Sequence, residues 1–194
     1  MAAAGKVLTG FSLPYVALYA ESNGTITYSS GQKLARGVEM TITPESGGDD
    51  NIFYADNQSA ESASGAFAGG TLSLTVDGLL DTAEKLVYGL PAASGDWYSY
   101  NDDQAVPYVG FGAIARYMSD GVTTYTAIVL PKVRFNALEL SAATQEDEID
   151  WQTQALEATI FRADDAKHNW KKISEPQSTE AAAEALIKTM FNIT

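Results

Sequence analysis

A β-hairpin in the middle of the chain constrains the fold more than any other part of the sequence. The runs 109–118 and 122–135 are rich in β-branched and aromatic residues, and Ser119-Asp120-Gly121 separates them. An Asp-Gly pair between two such runs predicts a tight turn, because glycine adopts positive φ angles without a steric penalty. Pro131 interrupts the second run and predicts an edge position or a bulge there. A third strand over residues 149–162 would complete an antiparallel meander.

Two other runs, 33–44 and 71–77, alternate between apolar and polar residues. A period of two predicts strands with one buried face and one polar face. The apolar side chains that we expect to be buried are Val38, Met40, Ile42, Leu72, Leu74 and Val76. The polar set on the opposite faces comprises Glu39, Thr41, Thr43, Ser73, Thr75 and Asp77. A further strand is expected over residues 13–20, with residues 26–29 returning beside it.

Apolar residues recur at helical spacing in two places. Residues 79–89 carry one such stripe, with Asp77 or Gly78 as the expected cap and Gly89 as the expected stop. Residues 178–191 form the second predicted helix, capped by one of the hydroxyl residues at its start. We expect this C-terminal helix to dock on the body of the protein or on a neighbouring subunit.

These elements predict a mainly β protein, either a β-sandwich or a barrel-like α+β domain with one flanking α-helix and a C-terminal helix. A length of 194 residues fits one domain of this kind. We divide the chain into a flexible N-terminal arm at residues 1–12, the β domain at residues 13–172 and a helical extension at residues 173–194.

The charge of the chain argues against several classes of partner. Twelve basic residues stand against 25 acidic ones, which gives a net charge of −13. Specific nucleic-acid binders carry a basic footprint, so specific binding to DNA or to an anionic membrane is not expected. No apolar run is long enough for a membrane span or a secretory signal, which predicts a protein made in the cytoplasm. Cysteine is absent, which excludes disulfides and thiolate metal sites.

The sequence offers no constellation that is typical of an enzyme. His168 is the single histidine, and no nucleophile elbow, phosphate-binding loop or zinc motif occurs. Gly110-Phe111-Gly112 lacks the third glycine of a dinucleotide fingerprint and is interpreted as a closely packed strand. Clusters such as Asp49-Asp50 and Asp102-Asp103 lack calcium-loop spacing, and solvated loops explain them better than an acidic hydrolase pair. We therefore predict no catalytic residue, no metal and no cofactor.

Two features leave room for a binding or assembly function. Trp97, Trp151 and Trp170, with ten tyrosines, could form a sugar platform, although core or interface use of aromatic residues is commoner. The alternative function is therefore a monomeric carbohydrate-binding β-sandwich module. Residues 44–70 form a long polar excursion between two patterned strands, and long ordered loops inside compact domains are usually functional.

Several stretches, in this order and spacing, resemble the major tail proteins of bacteriophages with long non-contractile tails. The resemblance covers about residues 10–172. Its motifs are Asn51-Ile52-Phe53-Tyr54-Ala55-Asp56-Asn57, the run from Gly69 to Leu79, the Gly-Phe-Gly strand at 109–115, the strand from Tyr125 to Phe135 and the strand from Gln152 to Ile160. The alanine-rich helix at residues 180–191 matches no motif of that family.

This resemblance implies a structural virion protein with the tail-tube fold, in which two antiparallel sheets pack together. Such subunits form hexameric rings that stack into a tube, and the genome passes through the lumen without specific binding. The implied partners are further copies of the chain, the tape measure protein and the tail tip and tail terminator proteins. The implied location is the virion tail, with the host cytoplasm during assembly.

The resemblance also gives the polar strand faces a role. The residues expected to line the lumen are Glu39, Thr41, Thr43, Ser73, Thr75, Asp77 and Glu157. An acidic, hydroxyl-rich wall would repel phosphates and let DNA slide. The residues expected in a loop between rings or subunits are Pro44, Glu45, Ser46, Gly47, Gly48, Asp49, Asp50 and Asn51. Residues 1–10 and the C-terminal helix are expected to bridge rings as well, and Pro131 is expected where its strand passes between the sheets.

Overall fold

A computed structural model describes residues 5–47, 51–55, 58–63, 67–144 and 151–193, with the backbone alone described for 51–55 and 58–63. Within these ranges the chain forms strands and two helices. In chain order they are β1 (Val7–Ser22), β2 (Thr25–Lys33), β3 (Gly37–Ser46), β4 (Asn51–Ala55), β5 (Gln58–Ala63), β6 (Phe67–Val76), α1 (Asp81–Tyr88), β7 (Val109–Ser119), β8 (Val122–Phe135), β9 (Gln154–Phe161), β10 (Lys172–Ile173) and α2 (Glu180–Met190).

The protein is mainly β, as its sequence predicts. The large sheet has the order β2-β1-β7-β8-β9-β6-β3, with β10 paired to β8, and β4 and β5 form a separate two-stranded sheet. Every pairing is antiparallel. One core cluster joins Phe111 and Leu130 from one half of the large sheet to Leu72 and Ile160 from the other. The two packed layers are therefore halves of one continuous sheet.

The β7–β8 hairpin is confirmed, and its turn has the predicted chemistry. Asp120 and Gly121 both have positive φ angles, 49° and 79°. Positive φ at both central residues is the signature of the tight turn that matches strand twist. β8 pairs with β7 up to Leu130, the register then shifts across Pro131 and Lys132, and Val133 pairs both with Val109 of β7 and with Ile160 of β9. Pro131 therefore lies in an irregularity of the β7–β8 ladder, as the predicted bulge requires, directly before the first residue of β8 that pairs with β9.

The first helix matches its prediction except at its start. Gly89 ends α1 in the left-handed conformation with φ 58°, and its amide donates to the carbonyl oxygens of Leu86 and Lys85. The prediction of Asp77 or Gly78 as the cap is wrong, because Leu80 occupies the N-cap position and makes no side-chain cap hydrogen bond. The carboxylate of Asp77 instead accepts hydrogen bonds from the backbone amide and side chain of Arg36.

The N-terminal arm is shorter than predicted. β1 starts at Val7, and its residues 7–12 pair with residues 114–118 of β7. Val7 and Leu8 are exposed, so this segment has no alternation of buried and exposed residues that would have predicted a strand. Backbone hydrogen bonds to a strand more than a hundred residues away hold it instead.

The buried faces of the alternating strands are confirmed with one exception. Leu72, Leu74 and Val76 are fully buried, and Met40 and Ile42 pack against the same core. Val38 was expected in this set, but it is 56% exposed. The register of the β3–β6 ladder shifts between Gly37 and Glu39, and the bulge turns Val38 out of the alternation.

The excursion at 44–70 contains more regular structure than a polar loop. β3 continues to Ser46, β6 begins at Phe67, and the β4–β5 hairpin lies between them. β9 begins at Gln154 rather than at residue 149, and residues 145–150 lie outside the described residues.

The C-terminal helix docks on the body of its own chain. Ala183, Ile187 and Phe191 are fully buried against the outer face of β1, β7 and β8. Its cap is confirmed, because Thr179 Oγ1 accepts a hydrogen bond from the amide of Ala182 at 3.2 Å. A Cβ atom at Gly112 would lie 2.8 Å from Ile187 Cγ2, so the glycine permits close packing, as predicted. The apolar side of α2 thus packs on its own chain. If α2 also connects neighbouring rings, as expected from the sequence, it must do so through its solvent-exposed face.

Candidate functional site

The polar residues predicted to line a lumen come together on one face of β3, β6 and β9. In the ladder, Glu39 pairs with Thr75 and Thr41 pairs with Ser73. Ser73 in turn pairs with Glu157 on β9. Directly paired residues project to the same face of a sheet, and the alternation then places Thr43 there as well. The opposite face of these strands carries Leu72, Leu74, Leu156 and Ile160, which fill the core.

Asp77 lies at the end of this face, just after β6. Its carboxylate forms a salt bridge with the guanidinium of Arg36, whose side chain is 92% exposed. Desolvation raises the pKa of Asp77, but the hydrogen bonds from Arg36 outweigh it and leave the pKa below the usual aspartate value. Asp77 is therefore ionised, and the guanidinium of Arg36 balances its charge. Glu39 and Glu157 form no salt bridge among the described residues.

The strand pairing adds residues to the polar face that were not in the predicted set. Thr43 pairs with Thr71, Thr71 with Thr159, and Thr159 with Arg134 of β8. A row of three threonines thus ends at an exposed arginine. Thr71 follows the alternation of β6 and could have been found from it. Arg134 could not, because its place depends on the pairing of β8 with β9 beyond Pro131.

Aromatic rings and a carboxylate hold the cations at this border of the face. Lys132 Nζ lies 2.6 Å from Asp164 Oδ2 and 4.5 Å from the ring centroid of Tyr108. The Arg134 guanidinium lies 5.7 Å from the Tyr108 ring centroid and 5.6 Å from that of Phe161. Such stacking fixes the position of a cation and leaves its charge intact. The face therefore carries carboxylates on β3 and β9 and cations on β8, rather than being uniformly acidic.

The same cluster ties the connector after β9 to the sheet. Tyr19 donates its hydroxyl hydrogen bond to Asp164 at 2.8 Å, and the Asp164 amide donates back to the Tyr19 oxygen. The hydrogen bond from Lys132 lowers the pKa of Asp164, and burial raises the pKa of Tyr19 to about 12. His168 has a φ of 51°, and its Nδ1 lies 3.3 Å from the Ala163 carbonyl oxygen, a backbone atom five residues earlier in the chain.

Half of the predicted inter-ring loop is strand. The positions Pro44, Glu45 and Ser46 belong to β3, and Asn51 begins β4. The three β3 residues pair with Gly70, Gly69 and Phe67 of β6, so a loop at these positions is wrong. Of the remaining loop positions, Gly47 follows β3, while Gly48, Asp49 and Asp50 lie outside the described residues.

The large sheet has two open edges among the described strands. β2 and β3 are the terminal strands of its order, and each pairs on one side with another described strand. An edge strand presents unpaired amide and carbonyl groups to any strand that approaches it. The polar face ends at the open edge of β3, so an added strand there would extend the face sideways.

The three tryptophans do not form one platform. Trp170 is half-buried and stacks on Phe67 with 4.4 Å between ring centroids. Trp97 and Trp151 are 78% and 85% exposed. Beside α1, Lys85 Nζ lies 3.9 Å from the Tyr98 ring centroid and Tyr100 donates to Glu84 at 2.8 Å. Two exposed indoles therefore remain as candidates for a stacking contact.

Within the described ranges, no group of three or more histidine, aspartate or glutamate side chains is arranged to hold a metal ion. No helix among the described residues has the length and apolar character needed to cross a membrane. A scan of the chain against protein-family models finds no match, and a search of curated proteins finds no significant relative.

Proposed function

We propose that this chain is a tail tube subunit of a bacteriophage with a long non-contractile tail. Copies would form hexameric rings, the rings would stack into a tube, and DNA would pass through it. The observation that carries the proposal is the polar face of β3, β6 and β9, which ends at an open sheet edge. The resemblance of the sequence to tail proteins supplies the biological setting.

The chemistry of the face suits a wall along which a polyanion slides. Threonine and serine hydroxyls offer hydrogen bonds that exchange readily with water, and Glu39 and Glu157 repel phosphates. Most groups on the face are neutral, so a phosphate backbone would find no row of cations to hold it. Arg134 lies at the border of the face, where one cation per subunit would meet the lumen.

The open edge of β3 gives the proposal a means of ring formation. Pairing of β3 with a strand of a neighbouring subunit would satisfy its unpaired backbone groups and continue the polar face around a ring. Tape measure, tail tip and tail terminator proteins would then be the partners inside and at the ends of the tube. The virion tail would be its location, after assembly in the host cytoplasm.

Exposed aromatic rings support a second candidate, a carbohydrate-binding β-sandwich. Trp97 and Trp151 present their indoles to solvent, and such rings stack on sugar faces. In that case the protein would stay monomeric, and the variants Trp97→Ala and Trp151→Ala would abolish glycan binding.

Electron microscopy of negatively stained protein at high concentration separates the two candidates. The tube proposal expects rings or tubes and no glycan binding. A species that sediments as a monomer at high concentration, also after addition of tail tip proteins, would contradict it. Binding to a glycan array that is lost in the tryptophan variants would establish the second candidate instead.

A further inference from the structure

The turn between β1 and β2 places an asparagine directly before a glycine at the surface of the protein. Asn23 and Gly24 both have positive φ angles, 51° and 75°, and both residues are exposed. Positive φ at both central residues is typical of a two-residue hairpin turn, for which Asn-Gly is a preferred pair. The chain contains Asn-Gly at this position alone. Neither the polar face nor the proposed tube function makes use of this turn.

A carboxylate contacts the backbone of the turn. The amide nitrogen of Gly24 donates a hydrogen bond to Oε1 of Glu21 at 2.6 Å. A general base must lie about 2.6–3.2 Å from the atom whose proton it takes, and Glu21 meets this requirement. Glu21 forms no salt bridge among the described residues. No described cation therefore competes with the Gly24 amide for the carboxylate.

These groups support a reaction of the chain with itself. When Glu21 takes the proton of the Gly24 amide, the amide nitrogen attacks Cγ of Asn23. A bond forms between that nitrogen and Cγ, the bond from Cγ to Nδ2 breaks, and Nδ2 takes up the proton and leaves as ammonia. The product is a cyclic succinimide. Water then adds to one of the two carbonyl carbons of the ring and opens it, which gives aspartate or isoaspartate in place of Asn23.

The surroundings of the turn leave this reaction unhindered. Glycine has no side chain that would shield its nitrogen from attack. A Cβ atom placed at Gly24 would meet nothing within 4 Å, so the space around the turn is open. Residues 21–25 are all exposed, and water therefore reaches the succinimide.

Asn192 shares the backbone conformation of Asn23 but lacks the other features. Its φ is 53°. The next residue is the β-branched Ile193, whose amide donates a hydrogen bond to the carbonyl oxygen of Lys188 at 2.9 Å. This nitrogen is shielded by a side chain, and its hydrogen-bond acceptor is a neutral carbonyl group rather than a base. Asn192 therefore serves as a control within the same molecule.

We propose that Asn23 is a site of spontaneous covalent modification, at which the Glu21 carboxylate acts as general base in the conversion to aspartate and isoaspartate. The aspartate product fits the turn, since Asp120 and Gly121 adopt the same pair of positive φ angles between β7 and β8. Isoaspartate lengthens the backbone by a methylene group and displaces the Ser22–Thr25 pair that closes the β1–β2 ladder. The inference goes beyond the proposed tube function and does not depend on it.

Peptide mapping by mass spectrometry tests the site. The purified full chain is incubated at neutral pH, and the conversion of amide to acid at Asn23 and Asn192 is followed over time, with isoaspartyl methyltransferase labelling to detect isoaspartate. Asn23 should convert at least tenfold faster than Asn192. The variant Glu21→Gln should slow conversion at Asn23 at least tenfold, because a positioned general base contributes about 10²–10⁴-fold. Glu175→Gln makes the same change in charge at another exposed position and should leave the rate at Asn23 unchanged.

The same comparison in urea shows whether the folded turn is responsible. Unfolding separates the Glu21 carboxylate from the Gly24 amide, so the wild type and Glu21→Gln should then convert Asn23 at equal rates. Equal rates in the folded proteins would overturn the proposal. Faster conversion in folded Glu21→Gln would also overturn it, because the carboxylate would then protect the amide. A tenfold difference that persists in urea would assign the effect to the local sequence and refute the role of the folded turn.

Discussion

Tyr15 and Glu184 form a polar contact between the sheet and α2. The fully buried tyrosine donates its hydroxyl hydrogen bond to the carboxylate, and Lys188 Nζ lies 3.0 Å from the same carboxylate. The hydrogen bond from Tyr15 is the main cause that lowers the pKa of Glu184 below its ordinary value of 4.5, with Lys188 and Lys33 adding to it. Burial raises the pKa of Tyr15, so the phenol stays protonated as the donor.

The ionised form of Glu184 is therefore part of the stability of the folded protein. Since its pKa is lower when folded, its stabilisation is complete above pH 4.5 and is lost as the pH falls through the folded pKa. We expect Glu184→Gln to lower the free energy of unfolding by about 1–2 kcal/mol at pH 7. The deficit should shrink progressively as the pH is lowered below 4.5 in urea titrations. Glu175→Gln, at an exposed carboxylate, serves as control, and a deficit unchanged at pH 3 would contradict the assignment.

At the scale of one element, the seating of α2 depends on two glycines of β7. A Cβ atom at Gly110 would lie 2.7 Å from Phe191 Cε1, and one at Gly112 would lie 2.8 Å from Ile187 Cγ2. Because both neighbours are fully buried, they have little room to yield. The helix can therefore pack this closely on β7 only because both positions are glycine.

We expect Gly112→Ala to destabilise the protein by about 1–3 kcal/mol, as overpacking does in other cores. The control is Gly10→Ala in β1, where an added Cβ atom meets nothing within 4 Å. It should change stability by less than about 0.5 kcal/mol. Urea unfolding of dilute protein measures both. An equal effect of the two variants would show that the helix does not press on Gly112.

The elements that could be predicted from the sequence depend on local chemistry. The Asp120-Gly121 turn, the stop at Gly89 and the cap at Thr179 are set by residues within one turn of the chain, and all three are confirmed. The bulge at Val38 and the strand at residues 7–12 depend on pairing with distant strands, which no local pattern encodes. Arg134 was missed for the same reason.

For the whole molecule, the polar face makes a prediction about DNA. The variant Glu39→Lys/Glu157→Lys changes the net charge from −13 to −9, since each substitution adds two units. If the face lines a lumen, assembled tubes of this variant should retain short duplex DNA at least tenfold more than wild-type tubes in low salt. The retention should fall steeply as salt rises, because counterions are released from the phosphates on binding.

A matched control separates the face from the overall charge. Asp96→Lys/Asp102→Lys makes the same change in net charge at exposed positions of the segment between α1 and β7. These tubes should release DNA as wild-type tubes do. Equal retention by the two variants, measured by filtration of DNA with assembled tubes, would remove Glu39 and Glu157 from the lumen.

The position of α2 after the strands that it covers has a consequence for synthesis. Its buried residues complete the second core cluster, and the strands beneath them belong to β1, β7 and β8. The ribosome therefore translates every strand before the segment that covers this face. The Tyr15 and Ile114 side of this layer therefore stays uncovered on the nascent chain until α2 has been synthesised and has left the ribosome.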